Sequence, residues 1–77
     1  MVKNNIDRFM QLGLNIAFYR KMKGITQMEL AEKAGISRTH ISFIEAPNMD
    51  TSLSIQTLFD IADALEVEPS KFFEFRS

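Results

Sequence analysis

The sequence predicts an all-α protein of five helices gathered around a helix-turn-helix at residues 26–45. Three observations carry that reading. Apolar residues recur at helical spacing along most of the chain, and no stretch alternates like a strand over a useful length. Two helix starts are written out within one short run, TQMELAEKAGISRTHISFIE. Gly24, Gly35, Pro47 and Pro69 fall between the periodic segments, where helix ends belong.

Residues 1–5 are read as a flexible N-terminus, and residues 6–77 as a single domain. The first helix is expected over about 6–23. Gly24 stands at its C-terminal cap, and Lys21 and Lys23 in the last turn suit the negative end of the helix dipole. Leu12, Ile16 and Tyr19 form its core stripe. Leu14, Phe18 and Met22 form a second stripe at i, i+4 and i+8 on another face. A surface helix needs one apolar face, so the second requires a cover.

The second helix is expected over 27–34. Thr26 is its N-cap, with Glu29 three residues on to complete a capping box and Ile25 against Leu30 as a hydrophobic staple. Gly35 then supplies a residue that tolerates positive φ and turns the chain. The third helix, over 38–46, repeats the grammar with Ser37 as cap and Ile36 with Ile41 as staple. Leu30, Ala31 and Ala34 face Ile41 and Ile44, with small Ala31 where the helices cross. The loop 46–53 follows, as its proline, asparagine, aspartate and serine indicate. Ser54 caps a fourth helix over 55–65, with Ile55, Leu58, Ile61, Ala62 and Leu65 at core spacing and Phe59 as an extra apolar residue. Pro69 opens a short fifth helix over 69–75.

Composition narrows the function. Seventy-seven residues make one domain, and 45% hydrophobic content favours a compact fold over disorder. With no cysteine there is neither a disulfide framework nor a thiolate metal site. The apolar runs are far too short to span a membrane and no signal peptide opens the chain, so a cytoplasmic location is the default expectation. Net charge is −1, but it is unevenly spread. Residues 1–45 carry seven basic side chains against four acidic, and residues 46–77 carry two against six. One face can therefore meet an anionic partner while another stays acidic, although ordinary surface scatter accounts for the charge equally well.

At Arg20, Gly24, Thr26-Gln27, Leu30-Ala31, Gly35-Ile36-Ser37, Ile41-Ser42, Ile44-Glu45, Thr57-Leu58, Ala62, Leu65 and Val67 the chain resembles the Cro/repressor-type helix-turn-helix regulators of the xenobiotic-response-element (XRE) class. The resemblance runs from Leu12 to Phe73, and the controller proteins of restriction–modification systems are similar in size. It implies a compact Cro/repressor-like domain that binds double-stranded operator DNA, commonly as a homodimer. It implies, too, an ion pair between Arg20 and Glu45 that serves the fold, a phosphate contact from Gln27, and a dimer surface on the C-terminal helices with Phe59 and Phe75. The family's loop after the glutamate is shorter and often basic; here it is longer and includes Asp50, which weakens any phosphate contact from it.

Stepping 100° per residue from an inward Ile41 keeps Ser37, Ile44 and Glu45 near the core and turns Thr39, Ser42, Phe43 and Ala46 outward. Arg38 occupies the exposed first turn, which usually meets base edges when a helix enters the major groove. Arg38, Thr39, Ser42 and Phe43 are therefore the base-reading set, Arg38 bidentate to guanine and Phe43 limited to thymine methyls. Gln27, Ser37 and His40 form the phosphate set, Gln27 with its amide beside free N–H groups at a helix start and His40 on the groove flank when protonated. Each has a plainer reading: Arg38 as a solvated charge, Phe43 as an interface residue, His40 as an ordinary exposed side chain, Gln27 as filler beside a cap.

The spare apolar residues Leu14, Phe18, Met22, Phe72, Phe73 and Phe75 exceed one small core. Either the N-terminal extension (Ile6, Phe9, Met10) and the final helix fold over the second stripe, or a two-fold dimer uses the surplus, and both can hold. The main reading is a sequence-specific transcriptional regulator on a palindromic operator. The alternative is a protein-binding module, such as an antitoxin or adaptor, that keeps the fold. Catalysis is excluded by a lone histidine without a nucleophile or carboxylate at working spacing, and no metal ligand set, cofactor motif or small-molecule effector is evident.

Overall fold

The computed structural model of the chain describes residues 6–46 and 53–75, with Ile6 described in its backbone alone. The expected flexible terminus 1–5 and loop positions 47–52 lie outside the described residues. Among those described there are four α-helices and one 3-10 helix: α1 (Ile6–Lys23), α2 (Gln27–Ala34), α3 (Arg38–Glu45), α4 (Ile55–Leu65) and the 3-10 segment Pro69–Phe73. No described residue lies in a strand. The expectation of five helices is thus corrected at its last member, which is neither α-helical nor as long as 69–75. Its bonds run i to i−3, from the N–H of Lys71 to the Glu68 carbonyl (2.9 Å) and of Glu74 to the Lys71 carbonyl (3.4 Å). Five residues are too few for an α-helical nucleus to be stable, and 3-10 geometry is the usual outcome for so short a piece. The third helix also ends one residue early, at Glu45, with Ala46 as its extended cap.

The caps appear as the sequence spells them. Thr26 accepts from the Glu29 backbone N–H while the Glu29 side chain accepts from the Thr26 N–H, at 3.0 and 2.8 Å. Ser37 and Ser54 accept from His40 and Thr57 in the same way. Gly35 sits at φ 72°, the left-handed turn that lets α2 hand over to α3 within three residues. At the end of α4 that conformation falls to Glu66 instead (φ 58°), with the Val67 N–H bonded to the Ala62 carbonyl at 3.0 Å. Its carboxylate forms an ion pair with Lys23 of α1.

Leu12, Ile16, Leu30, Ala31, Ile41, Ile44, Leu58, Ile61, Ala62, Leu65 and Phe72 fuse into one core. Burial of this kind, worth roughly 25 cal/mol per Å² of apolar surface, is what holds so small a domain together. Phe72 is fully buried, and Tyr19 meets it edge-on with ring centroids 5.9 Å apart. Asn15 completes the closure by donating its side-chain amide to the Phe72 carbonyl (2.8 Å) and the Glu74 carbonyl (3.4 Å).

Two expectations about apolar surface are corrected. The final element does not cover the second stripe of α1: it inserts Phe72 beside Tyr19, and Leu14, Phe18 and Met22 stay exposed, Met22 at 71%. Ile55, placed with the α4 core, is 64% exposed because it sits in the first turn, a step off the line of Leu58, Ile61 and Leu65. Phe59, Phe73 and Phe75 are exposed as well. Gly13 was not anticipated as special, yet a Cβ there would lie 2.0 Å from the Ile44 carbonyl oxygen. Only glycine lets α1 and the end of α3 approach so closely.

Candidate nucleic-acid interface

The candidate interface is the outer side of α3 with the amino end of α2, and the core dictates which residues occupy it. Ile41 and Ile44 are buried, which turns Thr39 and Phe43 to the opposite side of an eight-residue helix. Arg38, Thr39 and Phe43 are exposed, and Ser42 is half-buried at the edge of the same face. These four predicted base-reading residues share one continuous surface. Among the described residues no carboxylate lies within ion-pair distance of Arg38, Lys21 or Lys33. No described side chain competes for the guanidinium's five donors.

The predicted phosphate residues differ in what they already do. Ser37 is exposed rather than near the core, because its extended cap conformation (φ −77°, ψ 151°) takes it off the helical wheel. Its oxygen is occupied by the His40 N–H, while its hydroxyl proton stays available. His40 is half-buried on the flank of α3. Gln27, the first residue of α2, is half-buried and donates Nε2–H to Glu45 Oε1 at 3.0 Å. One amide proton and the amide oxygen remain for another partner.

That bond joins Gln27 to a buried pair. Arg20 meets Glu45 in fork geometry, Nε to Oε2 at 2.7 Å and a terminal nitrogen to Oε1 at 3.0 Å, and its other terminal nitrogen donates to the Ile25 carbonyl at 2.8 Å. The pairing implied by resemblance is present, and every buried polar side-chain atom described is satisfied. Sequence reasoning missed Gln27 as the third member, since nothing in the spacing from 27 to 45 marks a contact between two separate helices. The same holds for Gly13, although a glycine in the middle of an α-helix is a visible signal of close approach.

No cluster of three or more metal-ligating side chains exists among the described residues, and no helix described is long and apolar enough to cross a membrane.

Comparison with known proteins agrees with this layout. The helix-turn-helix family model matches residues 16–72. The HTH-type transcriptional regulator SinR of Bacillus subtilis (strain 168) is 45% identical over 56 residues, which is 73% of this chain and 50% of that protein. The chain thus spans about half the length of that curated relative. A SinR structure in complex with DNA superposes with a TM-score of 0.75 at 40% identity, covering 82% of this chain and 98% of the other. The restriction–modification controller protein C.AhdI from Aeromonas hydrophila gives 0.80 at 26% identity over 86% of this chain and 97% of its own. C.Esp1396I bound to a 19 base pair DNA duplex gives 0.75 at 39% identity, over 86% and 85%. The match extends over most of the chain and includes both helices of the motif: the protein belongs to the helix-turn-helix family, in its Cro/repressor-type (XRE) class.

Proposed function

We propose that the protein is a sequence-specific DNA-binding transcriptional regulator that lays α3 in the major groove of a palindromic operator as a homodimer. The observation that carries the reading is Arg38 in the exposed first turn of α3, beside Thr39, on a helix whose other face is locked into the core. Arg38 reads guanine, Thr39 and Ser42 meet neighbouring bases, and Phe43 packs on thymine methyls. Gln27, Ser37 and His40 hold the phosphate backbone, which positions the helix without adding sequence information. The DNA-bound forms of SinR and C.Esp1396I support this use of the fold. Two-fold pairing through exposed apolar side chains such as Phe59 and Phe75 sets two copies of α3 about 34 Å apart, one turn of DNA.

The test is selection of bound duplexes from a random library, followed by affinity measured across salt concentrations. A two-fold symmetric consensus is expected, with log K falling linearly against log salt as phosphates displace counterions. Arg38→Ala is expected to lower affinity for the selected duplex by roughly 1–3 kcal/mol and to relax preference at one base position per half-site. A binding constant indifferent to salt sinks the reading. Recovery of a stable protein complex at high salt without DNA would favour a protein-binding module, for which the exposed Leu14, Phe18 and Met22 are the supporting observation.

A further inference from the structure

Glu45 closes α3 from the side opposite the reading face, and three elements converge on it. Arg20 of α1 forks onto the carboxylate, and Gln27 of α2 donates to the same oxygen that accepts Arg20's terminal nitrogen. Beside it the Ile44 carbonyl rests against Gly13 with no room for a Cβ. The last turn of α3 is thus gripped, while its first turn, with Arg38 and Thr39, projects into solvent.

The helix is a lever. Seven residue steps lead from Arg38 to Glu45, which is about 10 Å along the axis at 1.5 Å per residue. A tilt of about 6° at the gripped end moves the first turn by about 1 Å, enough to spoil a bidentate hydrogen bond whose lengths vary by only a few tenths of an ångström. Ile41 and Ile44 fix how deep α3 sits, but apolar packing is non-directional and restrains its angle less sharply than a hydrogen bond. Among the described residues, the Gln27–Glu45 bond is the side-chain hydrogen bond that joins α2 to α3. It spans the inner angle of the helix-turn-helix.

We propose that Gln27 is a positioning residue for base readout: through Glu45 it holds α3 at the angle that brings Arg38 to its base, in addition to any phosphate contact it makes itself. The inference rests on the DNA-reading function above, and its physical core can be tested without DNA. Gln27→Met is the variant of choice, because it keeps an unbranched chain of similar length and leaves Arg20 and Glu45 paired.

Two measurements are needed. In the free protein, hydrogen exchange of the Ile41–Glu45 amides is expected to quicken in Gln27→Met while the buried amides of α4 hold their protection. On DNA, affinity for the duplex selected by the wild-type protein is expected to fall about tenfold more than affinity for an unrelated duplex at the same salt. That excess is expected to vanish when Arg38→Ala is already present, because the two residues act on one contact. Equal losses on both duplexes overturn the proposal, since they are the signature of a phosphate ligand alone. Unchanged exchange in α3 overturns it too. If the wild-type protein itself fails to distinguish duplexes, the DNA-reading function falls, and the exchange measurement still decides whether Gln27 holds α3.

Discussion

At the scale of single residues, the domain depends most on the charged pair it can least do without. Arg20 and Glu45 are both buried, and each satisfies the other in fork geometry. Removing one partner leaves an uncompensated charge in a poorly solvated site, which costs about 3–5 kcal/mol. A domain of this size is stable by roughly 5–10 kcal/mol, so Glu45→Ala is expected to remove much of that margin and lower the thermal midpoint by many degrees. Calorimetry checks this; a midpoint within a degree or two of wild type would contradict it. The residue types at Arg20 and Glu45 suggested the pair through family resemblance. Their depth, and the arrival of Gln27 on the same carboxylate, depend on how three helices cross, and no local pattern encodes that. Arg38 was more legible, because a capped helix with Ile41 and Ile44 inward leaves its first turn nowhere to go but out.

At the scale of elements, the capped helices were readable and the uncapped ending was not. Thr26, Ser37 and Ser54 each announce a helix start by side-chain chemistry that acts within four residues. The end of α4 carries no such signal: Glu66 takes a left-handed conformation that a non-glycine residue adopts only when its surroundings enforce it. Its partner Lys23 ends α1, far away in sequence. The final segment reads as a helix by its proline and aromatics, but at five residues it is short enough to settle as a 3-10 turn, with Phe72 buried. The hydrogen bond from Lys23 and its positive charge, aided by Lys33, hold the Glu66 carboxyl below the ordinary carboxylate range. A depressed folded-state value contributes stability above the unfolded-state value and loses it as pH falls through the folded one. Glu66→Gln is therefore expected to flatten the loss of thermal stability from about pH 5 downward, leaving the neutral side nearly unchanged apart from the missing exposed pair. Melting curves of both proteins between neutrality and acid check it.

At the scale of the whole molecule, apolar surface is left exposed in quantity, and its placement was not legible in the sequence. The excess of apolar residues could be counted. Counting could not say which of them stay outside: Phe72 is buried beside Tyr19, while Leu14, Phe18, Met22, Phe73 and Phe75 are exposed. If two copies pair through α4, Phe59→Glu places a charge in the seam and is expected to weaken self-association by at least about 30-fold, the size of an interface hot spot. Sedimentation at several concentrations measures it, and an unchanged mass distribution argues for another surface. The Asn15 clasp on the Phe72 and Glu74 carbonyls carries a different consequence, one of timing. Residues 57 and 59 positions apart must meet before the core is sealed. On the ribosome the two helices of the motif emerge well before the aromatic that completes the core beneath them. Domains fold as units during synthesis, so a nascent chain stalled before Phe72 should remain open to protease, and one extended past Glu74 should close.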